Sequence, residues 1–230
     1  MAQPTRRVVI AIDGPAGAGK SSLARRLADR LGFTYVDSGA MYRAVALWAV
    51  RQHLDPSDRH RMEQLARAAE IELAAGQRVV LNGEDVTEAI RTAEIGKLAS
   101  VVAAIPGVRR ALVDKQRAFA TRTSVIMEGR DIGTVVFPEA DVKIFLDADP
   151  QVRIQRRLLD FRQQGEATPP ETIAAQIRER DQRDRTRAEA PLTQGPDAVY
   201  IDSSGLSLDE VEERILKLVR ARVTNGKDFS

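Results

Sequence analysis

Residues 7–21 read RVVIAIDGPAGAGKS, and the way this stretch divides decides the fold. Its first part, Arg7-Val8-Val9-Ile10-Ala11-Ile12-Asp13, is β-branched and almost continuously apolar, the pattern of a strand buried on both faces of a parallel sheet. The next eight residues, Gly14-Pro15-Ala16-Gly17-Ala18-Gly19-Lys20-Ser21, satisfy G-x-x-x-x-G-K-[ST]. From Ser21 to Leu31 the spacing is helical. Strand, glycine-rich turn and helix together are the setting in which this motif grips phosphate. The glycines let backbone N–H groups turn inward around a phosphate chain, and the helix N-terminus adds its partial positive charge. Lys20 would reach the β- and γ-phosphates of ATP, the Ser21 hydroxyl would ligate Mg²⁺, and Ser22 closes the nucleotide-binding stretch.

Outward from this unit, short strand-like runs recur at Phe33–Val36, Ser124–Glu128, Val142–Asp147 and Ala198–Asp202. Helical patterns such as Ser207–Val223 alternate with them, which predicts an α/β fold: a P-loop core with a five-stranded parallel sheet flanked by helices. One stretch breaks the rhythm. Over 71–85, IELAAGQRVVLNGED gives two strand-like runs split by Gly76 and closed by Asn82-Gly83, a hairpin signature read as a small antiparallel insert. A helix over Ile90–Ala104, then Pro106-Gly107, then a second helix from Val108 would lead back to the core. The segment Gln151–Pro191 is rich in Arg, Gln and Glu, and Pro169-Pro170 interrupts it; it reads as a helical lid. The domains expected are therefore a core (1–37, 124–150, 191–230), an acceptor-binding region with the insert (38–123) and a lid (151–190). The tail from Thr224 has no pattern that would hold it down.

Composition narrows the classes. With 43% hydrophobic and 30% charged residues across 230, the chain is neither disordered in character nor membrane-like. No run approaches a transmembrane span, and no cleavage-site pattern follows the first apolar run. The absence of cysteine excludes disulfides and thiolate metal sites and agrees with a cytoplasmic setting. With His53 and His60 as the only histidines, a His-based metal site is not expected. The net charge is only +2, yet basic residues crowd between Arg178 and Arg187, which points to an anionic ligand.

A phosphate loop alone does not name a reaction. No N-K-x-D occurs, which argues against a guanine-specific GTPase. Three further strings add information: DSGAMYR (37–43) after the second strand, GRD (129–131) after the third, and ERDQRDRTR (179–187) in the lid-like region. Loops at the carboxyl ends of neighbouring strands converge on one crevice in such a sheet, so Arg43, Arg130 and the lid arginines would face the ligand. On a helical wheel, Arg180, Asp184 and Arg187 fall within roughly 60° of one another, and Arg178 and Arg185 point elsewhere. The same run also reads as a solvated helix laced with ion pairs.

These strings resemble one family. GPAGAGKSS, DSGAMYR, GRDIGTVVFP followed by KIFLDA, and ERDQRDRTRAEAPL look like the bacterial cytidylate kinases, nucleoside-monophosphate kinases of the P-loop class, over nearly the whole chain. The longer insert around Ile71–Thr92 is similar to the bacterial form. One departure is Ser21-Ser22, where a Gly-Thr pair is common; a hydroxyl for Mg²⁺ is retained. The resemblance implies that Arg43, Arg130 and Arg180 hold the CMP phosphate. It puts Ser38, Ser100, Arg109 and Asp131 around the cytosine and Asp184 on the ribose, and it makes Arg187, with Arg153 or Arg157, the bridge between the phosphates being exchanged. Read without it, Ser100 and Arg109 are an ordinary helix serine and a helix-start arginine, residues that are usually exposed.

The activity so implied is transfer of the γ-phosphoryl group of Mg-ATP to CMP or dCMP by a monomer acting on small molecules, with no nucleic acid and no membrane as partner. Two other readings stay open: a P-loop kinase for another small acceptor such as shikimate, and a P-loop ATPase that binds nucleic acid through the basic segment. Against the latter, acids alternate with the bases, and aromatic residues are only 4% of the chain, too few for a stacking platform.

Overall fold

The computed structural model describes residues 6–163 and 168–223. The tail from Thr224 and residues 164–167 of the expected lid therefore lie outside the described residues. In chain order the elements are β1 (Val9–Asp13), α1 (Lys20–Leu31), β2 (Thr34–Asp37), α2 (Ser38–Arg51), α3 (Arg59–Ala68), β3 (Ile71–Ala74), β4 (Arg78–Leu81) and β5 (Glu84–Asp85). They continue with α4 (Ala93–Val102), α5 (Pro106–Ala120), β6 (Val125–Gly129), β7 (Val142–Asp147), α6 (Pro150–Gln163), α7 (Pro170–Thr186), β8 (Val199–Asp202) and α8 (Leu208–Val223). The chain divides into two compact units: residues up to Tyr35 with those from Ala120 onward, and Val36–Phe119.

The first unit is built on a five-stranded parallel sheet in the order β2-β6-β1-β7-β8, with β1 central. Ile10, Ala11 and Ile12 have no solvent exposure, which is why this strand reads as continuously apolar: both of its faces are covered. Ile10 and Ile12 pack with Leu23 and Leu27 of α1 and with Ile215 and Val219 of α8. Each such side chain removed from water contributes about 1.5–3 kcal/mol. The buried Glu212 of α8 is met by Arg26 at 2.7 Å and Arg30 at 3.4 Å, both from α1. Register sets where the strands end: Asp13 lies opposite Gly129 of β6 and Phe145 of β7. The loops after β1, β6 and β7 thus leave one edge of the sheet at the same level, where a ligand can meet all three.

In the second unit α2 is the central element. Eight of its residues from Ala40 to Ala49 are buried apolar side chains, so it is apolar nearly all round and α3, α4 and α5 pack over it. Asp37 starts it, its Oδ1 accepting the Ala40 N–H at 3.0 Å. The insert is a three-stranded antiparallel sheet, β3-β4-β5, one strand more than the two runs visible in sequence. Asn82 and Gly83 both have positive φ, 50° and 84°, and turn β4 back onto Glu84-Asp85. That third strand is two exposed acids long and carries no apolar signal.

Two helix boundaries differ from expectation. α4 begins at Ala93 rather than Ile90, because Thr92 caps it by accepting the Ile95 N–H, and residues 89–91 form a separate 3₁₀ turn. α5 begins at Pro106 rather than Val108. Proline fits a first helical turn, where its missing N–H has no intrahelical partner to lose. In the charged segment, α6 and α7 share a small core of Ile154, Phe161, Ile173 and Ile177, and Pro169-Pro170 opens α7.

Leu112 of α5 is fully buried in the apolar core of the second unit. Leu112→Ala is expected to lower stability by about 2–5 kcal/mol, read as a fall in the urea midpoint at unchanged slope.

Candidate active site

The phosphate loop runs from Gly14 to Gly19 between β1 and α1. Gly14 has φ +148°, and a Cβ there would fall on the Leu146 carbonyl of β7, so only glycine lets the chain leave the sheet at this point. Lys20 is buried at the start of α1, and its Nζ donates to the Pro15 carbonyl at 2.7 Å. Burial pushes the lysine down to about 7; Arg130 and Arg180 act in the same direction, and Glu128 and Asp13 oppose them. Ser21 and Ser22 are exposed in the first turn of α1. No group of three or more His, Cys, Asp or Glu able to hold a metal occurs among the described residues.

At the end of β6 the buried Glu128 accepts a hydrogen bond from Tyr35 Oη at 2.5 Å. Beyond it, Arg130 donates through Nε to Asp184 Oδ2 at 2.8 Å and through Nη1 to the Gly129 carbonyl at 3.0 Å. Asp184 projects from α7, with the Arg180 guanidinium at 4.0 Å, one turn away on the same helix. Arg187 Nη2 lies 3.6 Å from Asp131, and its Nε donates to the Ala190 carbonyl at 2.6 Å. Burial works against the charge of Arg130, yet Asp184, Glu128 and Asp181 together hold the guanidinium protonated beyond its ordinary range. Asp184 is pushed up by burial but drawn down further by Arg130 and Arg180, so it is ionised.

The structure thus brings Lys20, Arg130, Asp131, Arg180, Asp184 and Arg187 together in one unit. Arg178 and Arg185 are exposed, as the wheel expects. Arg187 reaches the cluster by another route: α7 ends at Thr186, and Arg187 has extended backbone at φ −61°, ψ 142°. The wheel angle for that residue therefore has no physical content.

Two arginines of α6 support the loop from behind. Arg153, buried, donates to Ala16 and Ala148 carbonyls at 3.1 Å each and pairs with Asp181 of α7 at 2.6 Å. Arg156, which sequence reasoning passed over, donates to the Ala18 carbonyl at 3.3 Å and to both the hydroxyl and carbonyl oxygens of Ser203. Arg157 lies along its own helix, 4.5 Å over the Phe161 ring and 3.8 Å from Asp160. Asp13 is the other residue passed over. It is fully enclosed at the end of β1, and its oxygens accept the N–H groups of Ile132 at 2.8 Å and Gly133 at 2.7 Å. Burial drives its carboxyl up to about 6, with Asp131 adding to the rise; the two hydrogen bonds and Lys20 oppose it.

The second unit holds the remaining candidates. Arg43 pairs with Asp37 at 2.8 Å, and Ser38 is buried beside it in sequence. Ser100 and Arg109 are buried too, against the ordinary expectation for such residues. Arg109 donates to the Ala103 carbonyl at 3.1 Å and stands 5.6 Å over the Tyr42 ring, whereas the Ser100 hydroxyl has no hydrogen-bond partner among the described residues. The signal in sequence was periodicity: Arg109 and Gln116 lie seven residues apart on the face of α5 that carries Val108 and Leu112.

The sequence profile of the family described as Cytidylate kinase matches residues 10–221. A cytidylate kinase of Solibacter usitatus is 65% identical over 227 residues, covering 98% of this chain and 97% of that protein. One of Saccharophagus degradans is 48% identical over 219 residues, covering 94% and 98%. Among solved structures, an uncharacterised protein from Eubacterium ventriosum aligns with a TM-score of 0.54 at 13% identity, covering 94% of this chain and all of that one. At that identity the likeness concerns the fold alone.

Asp13 gives a pH dependence whose sign is fixed. Its folded value, about 6, lies above the ordinary 3.8, so the stability carried by the protonated form is full below pH 3.8 and is lost as pH rises through 6. A rise of about two units corresponds to about 3 kcal/mol. The stability of the wild type relative to Asp13→Asn should therefore fall by up to about 3 kcal/mol between pH 4 and pH 7.5, measured by urea unfolding at each pH. A difference that stays flat would place the Asp13 ionisation at its ordinary position.

Proposed function

The chain belongs to the cytidylate kinase family of ATP-dependent phosphotransferases acting on CMP, and we propose that it phosphorylates dCMP as well, by in-line transfer between two polyanions gathered by its arginines. The observation that carries the mechanism is the cluster of Lys20, Arg130, Arg180 and Arg187 at the carboxyl edge of a parallel sheet. An acceptor phosphate is already anionic, so the reaction needs no general base. What it needs is positioning and neutralisation of charge between the phosphates, which planar guanidinium forks provide by bonding two oxygens at once.

In this reading the loop 14–22 binds the ATP phosphates through backbone N–H groups and Lys20, and Ser21 would hold Mg²⁺, which would supply neutralisation of phosphate charge. Arg43, Arg130 and Arg180 bind the CMP phosphate, and Asp184 binds the ribose. Ser38, Ser100, Arg109 and Asp131 contact the base. Burial of Ser100, Arg109 and Asp131 supports that assignment, since a buried polar group distinguishes ligands by what it leaves unpaired. Arg187 bridges the exchanging phosphates, with Arg153 or Arg157 from the lid; the contact of Arg153 with the Ala16 carbonyl favours Arg157 for the mobile part. Closure of 151–190 would exclude water and suppress ATP hydrolysis. The enzyme is proposed to work as a cytoplasmic monomer; among the described residues no helix is long and apolar enough to cross a membrane. A nucleic-acid reading has little support, because Arg130, Arg180 and Arg187 stand against Asp184 and Asp131 rather than forming an open basic stripe.

ADP formation measured separately with CMP, dCMP, UMP, AMP, GMP and shikimate tests the substrate. CMP and dCMP should support turnover, and UMP should be poorer in kcat/KM by about 30-fold to 10⁴-fold, because uracil reverses the donor and acceptor that cytosine offers at two positions. Shikimate outrunning CMP would overturn the assignment. Within the cluster, Arg180→Ala and Arg187→Ala should each lower kcat by about 10²-fold or more, whereas Arg178→Ala and Arg185→Ala stay within about twofold. Equal losses at all four positions would show that the segment acts only through its net charge.

A further inference from the structure

After β6 the chain makes a single π-helical turn over Ile132–Val136, closed by the Phe137 N–H donating to the Ile132 carbonyl at 2.7 Å. Asp131 occupies the position before that turn, where an aspartate ordinarily folds back to accept the N–H of the second or third helical residue. It makes no such capping bond. The first two N–H groups, those of Ile132 and Gly133, are taken instead by the two oxygens of Asp13 from the neighbouring strand, at 2.8 and 2.7 Å. The Asp131 carboxylate, buried, is directed at Arg187, 3.6 Å away. Both ends of this bridge are rigid: Asp13 closes the central strand opposite Gly129, and Gly133 sits against the Lys143 stem of β7 with no room to spare.

We propose that Asp13 is a positioning residue for the acceptor nucleotide: by capping the 132–136 turn from β1 it takes over the role Asp131 would otherwise play and so keeps the Asp131 carboxylate turned towards Arg187 and the substrate. The inference rests on the reading of Asp131 as a base contact. Asparagine has the same shape but offers one acceptor oxygen and a donor in place of two acceptors, so one of the two N–H groups would face an amide N–H. The competing pull on Asp131, to fold back and cap its own turn, then becomes favourable.

The experiment has two arms on the full-length enzyme. In the unliganded wild type labelled with ¹⁵N and ¹³C, scalar couplings across hydrogen bonds should link the amide nitrogens of Ile132 and Gly133 to the Asp13 side-chain carboxyl carbon; their absence overturns the proposal. In kinetics, Asp13→Asn should raise KM for CMP about tenfold, within the range that loss of a cap gives, and leave KM for ATP within about twofold. The double variant Asp13→Asn/Asp131→Asn should be no worse for CMP than Asp131→Asn alone, because the first residue acts through the second. A parallel rise of KM for both substrates, or effects that simply add, overturns the proposal. Failure of the underlying reading looks different: Asp131→Asn itself would then leave KM for CMP and the CMP-to-UMP ratio unchanged. Should Asp13→Asn not fold, the couplings in the wild type still decide.

Discussion

Gathering several guanidinium groups around one point is the constraint that shapes the first unit. Two unit charges 4 Å apart interact by about 4 kcal/mol at the effective dielectric of a protein surface, so unscreened arginines would push the sheet edge and α7 apart. The chain answers with carboxylates at matched positions: Asp184 stands between Arg130 and Arg180, Asp131 faces Arg187, and Asp181 holds Arg153. A buried ion pair of this kind adds little net stability, because desolvation consumes most of the attraction. Its value is geometric. Each guanidinium is held in place by a carboxylate from another part of the chain or from its own helix.

The same economy explains the second pair of arginines. Arg153 and Arg156 donate to the Ala16 and Ala18 carbonyls. A phosphate loop works by turning its N–H groups inward, which turns carbonyls the other way and leaves them in need of donors. Guanidinium groups from α6 fill that need. They make the start of the charged segment a part of the loop's support, whatever the rest of 151–190 does during turnover. Arg157, one residue further round the helix, has no such tie and packs on Phe161 instead.

How far the sequence could be read depends on whether its signal was local. β1, the loop and α1 were legible because buried strands, glycine-rich turns and amphipathic helices each leave a periodic trace, and the other four core strands were legible for the same reason. β5 was not, since two exposed acids carry no periodicity and exist as a strand only through pairing with β4. Arg187 lies beside Asp131 and not on the helical face that the wheel gave it, because a helical wheel has no means of knowing where a helix stops. Ser100 and Arg109 were singled out through family resemblance, and the periodicity that puts Arg109 on the apolar face of α5 was left unused. Their burial depends on α4 and α5 packing around α2, a tertiary fact that composition does not carry. Asp13 was read as the end of a strand; that it caps a turn 119 residues later in the chain could come only from β1 and β6 being neighbours.

Asp13 also shows how function can be read from what a fold tolerates. A carboxyl driven up to about 6 by burial is, near neutral pH, a charge held against its preference, and its two hydrogen bonds offset only part of that cost. Nothing in the packing of β1 requires an acid at this position: Ile10, Ala11 and Ile12 show what the strand accepts when burial alone decides. An apolar residue here would leave the buried N–H groups of Ile132 and Gly133 without an acceptor, so the acid is held by what it caps and not by the packing of its own strand.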